Sequence, residues 1–163
     1  MGRAVHEGQA GRRPPGDRGQ TALVDGDLNE VGEDYWLTPP ELMKALQEEF
    51  GFDFDACPFP RPAGFDSMRE EWGRSTYVNP PIKAGATTIS EFVRKALSEQ
   101  AKGKQVVLFL PFPRWFRYLL QAGAEFRFPG PTHFVNPSGK VGKSEGGGRI
   151  PDILVVLRPR SPP

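Results

Sequence analysis

The chain has 163 residues, 21 Lys and Arg against 20 Asp and Glu, and a formal net charge of +1, a size that suits one domain. One cysteine, Cys57, excludes an internal disulfide or a multi-cysteine zinc site, and His6 and His133 lie too far apart for a local metal motif, so no metal is expected. No apolar run reaches the about 20 residues of a membrane span, and the N-terminus lacks the apolar core of a secretory signal, so a reducing cytoplasm is expected.

Residues 1–32 hold no aromatic residue and no periodic pattern, and they are read as a disordered arm. Arg3, Arg12, Arg13 and Arg18 lie in it and are available to phosphates. The folded domain is expected over residues 33–160. Thr38-Pro39-Pro40-Glu41 reads as a helix start, with Thr38 as the cap, Pro39 at the first helical position and Glu41 closing a capping box. Leu42, Leu46 and Phe50 share a face, and Gly51 stops the helix. Phe52 to Ala56 alternates as a short strand, followed by an irregular stretch from Cys57 to Glu71. Ser75 to Asn79 is the next strand. Ser90 to Ala101 is helical, with Phe92, Val93, Ala96 and Leu97 on one side and Gly103 as its end. Gln105 to Leu110 is an unbroken apolar strand of the kind buried on both faces of a parallel sheet. A helix is expected over 114–121, then a hairpin of Glu125–Phe128 with His133–Val135 around Pro129-Gly130-Pro131, and a last strand over Ile153–Leu157. Strands alternating with helices argue for βαβ units and an open, mostly parallel α/β sheet with a C-terminal hairpin.

Charge is unevenly spread. Residues 33–72 hold ten acids and three Lys or Arg, whereas residues 73–163 hold five acids and fourteen Lys or Arg. A basic half suits a polyanion and an acidic half a cationic small molecule, although drift in surface charge gives the same pattern.

The run Ser75-Thr76-Tyr77-Val78-Asn79-Pro80-Pro81 carries the chemistry. Prolines have no N–H and end the ladder. The strand tip then offers the Asn79 side-chain oxygen beside the Pro80 carbonyl, and this pair of acceptors suits a planar –NH₂ group. Accepting both hydrogens of a nucleobase amine would draw its delocalised lone pair toward a tetrahedral nitrogen and stabilise developing positive charge. The chemistry expected is methyl transfer to an amine, with the donor held in line. Trp36, Thr38 and Pro39 at a helix start suit the carboxylate of S-adenosyl-L-methionine. Asp55, at a strand's carboxyl end, suits an ammonium or a ribose hydroxyl, and Asp53 alternates with it and is a candidate for the same side. As plain structure, the same residues make a strand-end turn, an aromatic staple with a helix cap, and a surface acid pair. Gly142-Lys143-Ser144 is no phosphate loop, because Pro137 stands where the first glycine belongs. Cys57 has no basic neighbour in sequence and reads as inert packing, and His133 as structural. Candidate DNA contacts are Arg114 and Arg117, interleaved with aromatic residues, and Lys140, Lys143 and Arg149 in a glycine-rich loop.

The ordered set Trp36-Leu37-Thr38-Pro39, Glu49-Phe50-Gly51-Phe52-Asp53-Phe54-Asp55-Ala56, Glu71-Trp72-Gly73 and Val78-Asn79-Pro80-Pro81 resembles the phage-type, Dam-like DNA N6-adenine methyltransferases. The resemblance runs from Asp34 to Arg158. It implies a small Rossmann-like fold, S-adenosyl-L-methionine as cofactor, DNA as partner, phage or prophage origin, and action in the cytoplasm of a bacterial host, with a monomer expected. Asn79, Pro80 and Pro81 match the family's catalytic motif, and Thr38, Pro39 and Asp55 its donor-binding positions. Ile82 stands where the family carries an aromatic that stacks on the flipped base. Stacking of that kind is worth roughly 1–3 kcal/mol, so its loss corresponds to capture weaker by about 5- to 150-fold. The glycine-rich donor loop common in methyltransferases is also missing, since Ala56-Cys57-Pro58 follows Asp55. The short chain leaves little room for a target-recognition domain, so relaxed sequence specificity is expected. The alternatives are methylation of cytosine N4 or a protein glutamine, and a DNA-binding relative without catalysis.

Overall fold

Two apolar segments at the centre of one sheet organise the chain. The computed structural model describes residues 36–81, 89–111, 115–130, 132–137 and 152–160. Strand β1 (Phe54–Asp55) pairs in parallel with β2 (Ser75–Val78), which pairs in parallel with β3 (Gln105–Pro111). Strand β5 (Asp152–Leu157) runs antiparallel to β3 over six residue pairs, and β4 (Glu125–Arg127) runs antiparallel to β5. The order is β1-β2-β3-β5-β4, an open five-stranded sheet whose first three strands end on the same rim.

Helices cover both faces. Helix α1 (Pro40–Phe50) packs Leu46 and Phe50 on Tyr77, Val107, Phe109, Leu154 and Val156. Helix α2 (Ile89–Ala101) and helix α3 (Phe116–Gln121) cover the other face, where Phe92, Val93, Ala96 and Leu119 meet Val78, Val106, Leu108, Leu110 and Val155. Successive residues of β3 therefore enter different cores, which is why the segment carries no polar alternation. On α2 the expected face of Phe92, Val93 and Ala96 is buried, with Leu97 packed at its edge.

Several expectations change. Thr38 does not cap α1. The helix begins at Pro40, and Pro39 is the cap residue at φ −52° and ψ 137° with no side-chain cap bond. A proline disfavours the helical region for the residue before it, so Pro40 holds Pro39 extended and shifts the start by one residue. Glu41 accordingly closes no capping box. At the other end Gly51 stops the helix as expected, at φ 59°, with its N–H on the Gln47 carbonyl at 2.9 Å.

The 125–135 hairpin does not form. Strand β4 joins β5 instead, and Val135 makes an isolated antiparallel bridge with Leu37 through bonds of 2.8 and 3.1 Å. Pro129 has no N–H with which to carry a ladder on toward the turn, whereas Ile153–Leu157 is an uninterrupted partner. The bridge, with Phe134 edge-on to Phe109 at 5.0 Å, ties the segment before α1 to the sheet.

Asp53 does not join Asp55. Its Oδ1 accepts the Ser75 N–H at 2.9 Å and its Oδ2 the Arg74 N–H at 3.2 Å, bracing the start of β2. The Ser75 bond foremost, with help from Arg74, holds its carboxyl below the usual range against the opposing effect of burial. The Glu71-Trp72-Gly73 motif belongs to the same brace. Trp72 is buried and donates its indole N–H to the Ser67 carbonyl at 2.9 Å. A Cβ on Gly73 would stand 2.1 Å from Asp53 Oδ1 and 2.9 Å from Phe54 Cβ. Gly73→Ala is therefore expected to destabilise the fold by about 1–3 kcal/mol, as overpacking does, and urea denaturation would show it as a lower midpoint.

Glu99, buried on α2, meets Lys102 at 2.7 Å and Lys104 at 2.8 Å. Burial acts to raise its pKa, but the two ammonium groups prevail and the carboxyl titrates below its ordinary value. A carboxyl depressed by folding adds stability above its unfolded pKa and loses it as pH falls through the folded one. Glu99→Gln is expected to cost about 1–3 kcal/mol at neutral pH. The gap to the unaltered chain should narrow on acidification below the ordinary carboxylate range, in denaturation curves recorded at several pH values.

Candidate active site

The carboxyl ends of β1 and β2 lie side by side. Asp55 stands opposite Tyr77, and one step on the Ala56 N–H donates to the Tyr77 carbonyl at 2.9 Å. Strand β2 ends at Val78, and the chain runs on through Asn79 into buried Pro80 and half-buried Pro81. The expected strand thus stops one residue earlier than its pattern, as two residues without N–H groups require.

Asn79 is half-buried, and its side chain is held by two partners. Its Nδ2 donates to the Trp36 carbonyl at 2.7 Å and makes a longer contact of 3.4 Å with Thr38 Oγ1. A carbonyl only accepts, so the Trp36 bond fixes which end of the carboxamide is which. The NH₂ end is committed to the segment before α1, and Oδ1 is the opposite end of the group. Thr38, freed from capping, hydrogen-bonds the Tyr77 hydroxyl. Trp36, Thr38, Asn79 and Asp55 are thereby gathered at one rim from three stretches of chain, with Pro39 beside them at the cap of α1.

Asp55 is solvent-exposed, and its Oδ1 accepts the Cys57 N–H at 2.8 Å. Although the residue is exposed, partial desolvation by the neighbouring protein raises the carboxyl pKa, an effect that the Cys57 bond opposes. The Cys57 thiol is pushed far up, first by burial and then by the Asp55 charge, so it stays protonated and suits packing rather than attack. Tyr77 is a site residue whose role sequence reasoning missed. Its ring is 4% exposed and packs on Phe52 at 5.3 Å, which removes it as a stacking surface. Burial foremost raises the phenol pKa and keeps its proton in place. Only the alternation of β2, which puts Tyr77 and Asn79 on one face, could have signalled its hydroxyl.

Arg117 is exposed on α3, beyond the carboxyl end of β3, with its guanidinium 5.3 Å from the ring of Tyr118. Trp115 packs against the core, and Leu119 is buried. Ile82, Arg114, Lys140, Lys143 and Arg149 lie outside the described residues, as does the 1–32 arm. Among the described residues, no three His, Cys, Asp or Glu form a group able to hold a metal, and no helix is long and apolar enough to cross a membrane.

Comparison with curated proteins gave no significant match, nor did comparison with solved structures. A family model does match, over residues 26–163, and it is that of DNA N-6-adenine-methyltransferase (Dam). The match takes in the Trp36–Thr38 segment, Asp55 and the Asn79-Pro80-Pro81 corner together, and the chain belongs to this family of DNA adenine methyltransferases.

Proposed function

We propose that the protein transfers a methyl group from S-adenosyl-L-methionine to the N6 amine of adenine in DNA, using the rim at the ends of β1 and β2. One observation carries the reading. The Asn79 carboxamide is anchored through its NH₂ end to the Trp36 carbonyl at 2.7 Å, which leaves its oxygen end to serve as acceptor for an amine. With the Pro80 carbonyl as second acceptor, both hydrogens of the adenine amine would be held, and positive charge growing on nitrogen would meet fixed oxygen dipoles. The adenine would be flipped from the duplex to reach this corner.

The residues present fit the donor. Helix α1 has no side-chain cap and begins with a proline, so its first turn keeps N–H groups suited to a carboxylate. Asp55 sets an exposed carboxylate on the same rim, suited to an ammonium or a ribose hydroxyl. S-adenosyl-L-methionine supplies an electrophilic methyl on a sulfonium. The chain's own part is to hold the amine by Asn79 and Pro80, to fix both by the following proline, and to keep the Cys57 thiol and the Tyr77 phenol protonated and out of the chemistry. A Rossmann-like fold belongs to the same reading and is supported by the parallel β1, β2 and β3, since open α/β sheets bind ligands at the carboxyl ends of such strands. Arg117 contributes to the DNA face in this reading, with Arg114, Lys140, Lys143 and Arg149. Phage or prophage origin and action as a cytoplasmic monomer in a bacterial host belong to the same reading.

Unmethylated DNA incubated with labelled donor and digested to nucleosides should yield N6-methyladenine by mass spectrometry. N4-methylcytosine alone, or no methylated base, would overturn the proposal. Asn79→Ala is expected to lower kcat by about 10²- to 10³-fold, as loss of a preorganised charge-stabilising group does, with donor affinity by calorimetry unchanged. Ile82→Tyr restores an aromatic next to the second proline and should show equal or higher turnover; a clear drop would mean that the base pocket is built for the aliphatic side chain.

A further inference from the structure

Tyr77 presents a hydroxyl that packing does not explain. The ring lies in the core beneath α1, among Leu46, Phe50, Val107 and Phe109 and against Phe52, where phenylalanine would serve equally well. A buried hydroxyl without a partner is costly, and the partner here is Thr38 Oγ1. Thr38 stands before two prolines, is not a helix cap, and faces the Nδ2 of Asn79. With Nδ2 on one side and the Tyr77 hydroxyl on the other, the Thr38 oxygen is confined to one rotamer.

We infer that Tyr77 is a positioning residue for the reaction, holding the Asn79 carboxamide in its acceptor-outward orientation through Thr38. The inference rests on the proposed function and adds a residue to it. Nδ2 carries two hydrogens, one for the Trp36 carbonyl and one for Thr38. A single anchor leaves the flat amide free to rock about its terminal torsion, which is broad and roughly two-fold. The second anchor resists the turn that would aim NH₂ donors where an amine needs acceptors. Without the Tyr77 hydroxyl, Thr38 can move among rotamers and that second anchor loosens.

The test is a mutant cycle on full-length protein, with plasmid DNA and labelled S-adenosyl-L-methionine. Tyr77→Phe keeps the ring and should lower kcat by about 3- to 10-fold, the worth of one neutral hydrogen bond. KM for DNA should stay unchanged, and thermal unfolding should remain cooperative. Because Tyr77 acts only through Asn79, Tyr77→Phe should add no further loss in an Asn79→Ala background, or in an Asn79→Ser background if the alanine variant is too slow to read. A full additional loss in that background would overturn the inference, as would a higher donor KM with kcat unchanged. Full kcat in Tyr77→Phe beside an impaired Asn79→Ala would sink this inference alone. Absence of N6-methyladenine from the unaltered chain would overturn the proposed function and the inference with it.

Discussion

The bond from Asn79 Nδ2 to the Trp36 carbonyl is where the parts of this molecule meet. It joins the segment that leads into α1 to the end of β2, across 43 residues of chain. Without it, Trp36 and Thr38 would belong to a loop tethered mainly by the Leu37–Val135 bridge, and the Asn79 carboxamide would lack a defined orientation. With it, a side chain that is chemically symmetric to the eye acquires a donor end facing protein and an acceptor end on the other side. An amide inside a protein gains direction only from partners of fixed polarity, and a backbone carbonyl is such a partner.

Proline acts three times around this bond, each time by exclusion. Pro80 and Pro81 cannot donate to a ladder, so β2 stops at Val78 and the Asn79 side chain is left at the rim. Pro40 forbids helix at Pro39, so α1 starts late and the Thr38 hydroxyl is released from capping to meet Tyr77 and Asn79. Pro129 interrupts the expected hairpin, and Val135 reaches Leu37 instead. A proline-rich chain that looks loosely built uses its missing donors to decide where each segment ends.

The supporting structure is held from the far side. Asp53, Gly73 and Trp72 lock β1 to the approach of β2, so the acidic residue that alternates with Asp55 serves the fold and Asp55 alone reaches the rim. Strand β5, inserted antiparallel between β3 and β4, completes the cover of β3 and gives the sheet its second half. Family membership and geometry meet at this point. The family model covers residues 26–163, and the elements that it spans bring Trp36, Thr38, Asp55 and Asn79 to one edge.

What the sequence by itself determined was local. The apolar run of β3, the α1 face of Leu46 and Phe50, the Gly51 stop and the end of β2 at the prolines all follow from periodicity and from residues with restricted backbones. The corner Asn79-Pro80-Pro81 was legible for the same reason, since proline's missing N–H is a property of the residue wherever it stands. Tertiary structure decided everything that depends on which segment lies opposite. It sent Thr38 to Tyr77 rather than to a helix end, turned Asp53 toward Arg74 and Ser75, and paired β4 with β5. Those choices are made by competition among distant partners for the same donors and acceptors, and a sequence pattern records the groups on offer but not which of them win.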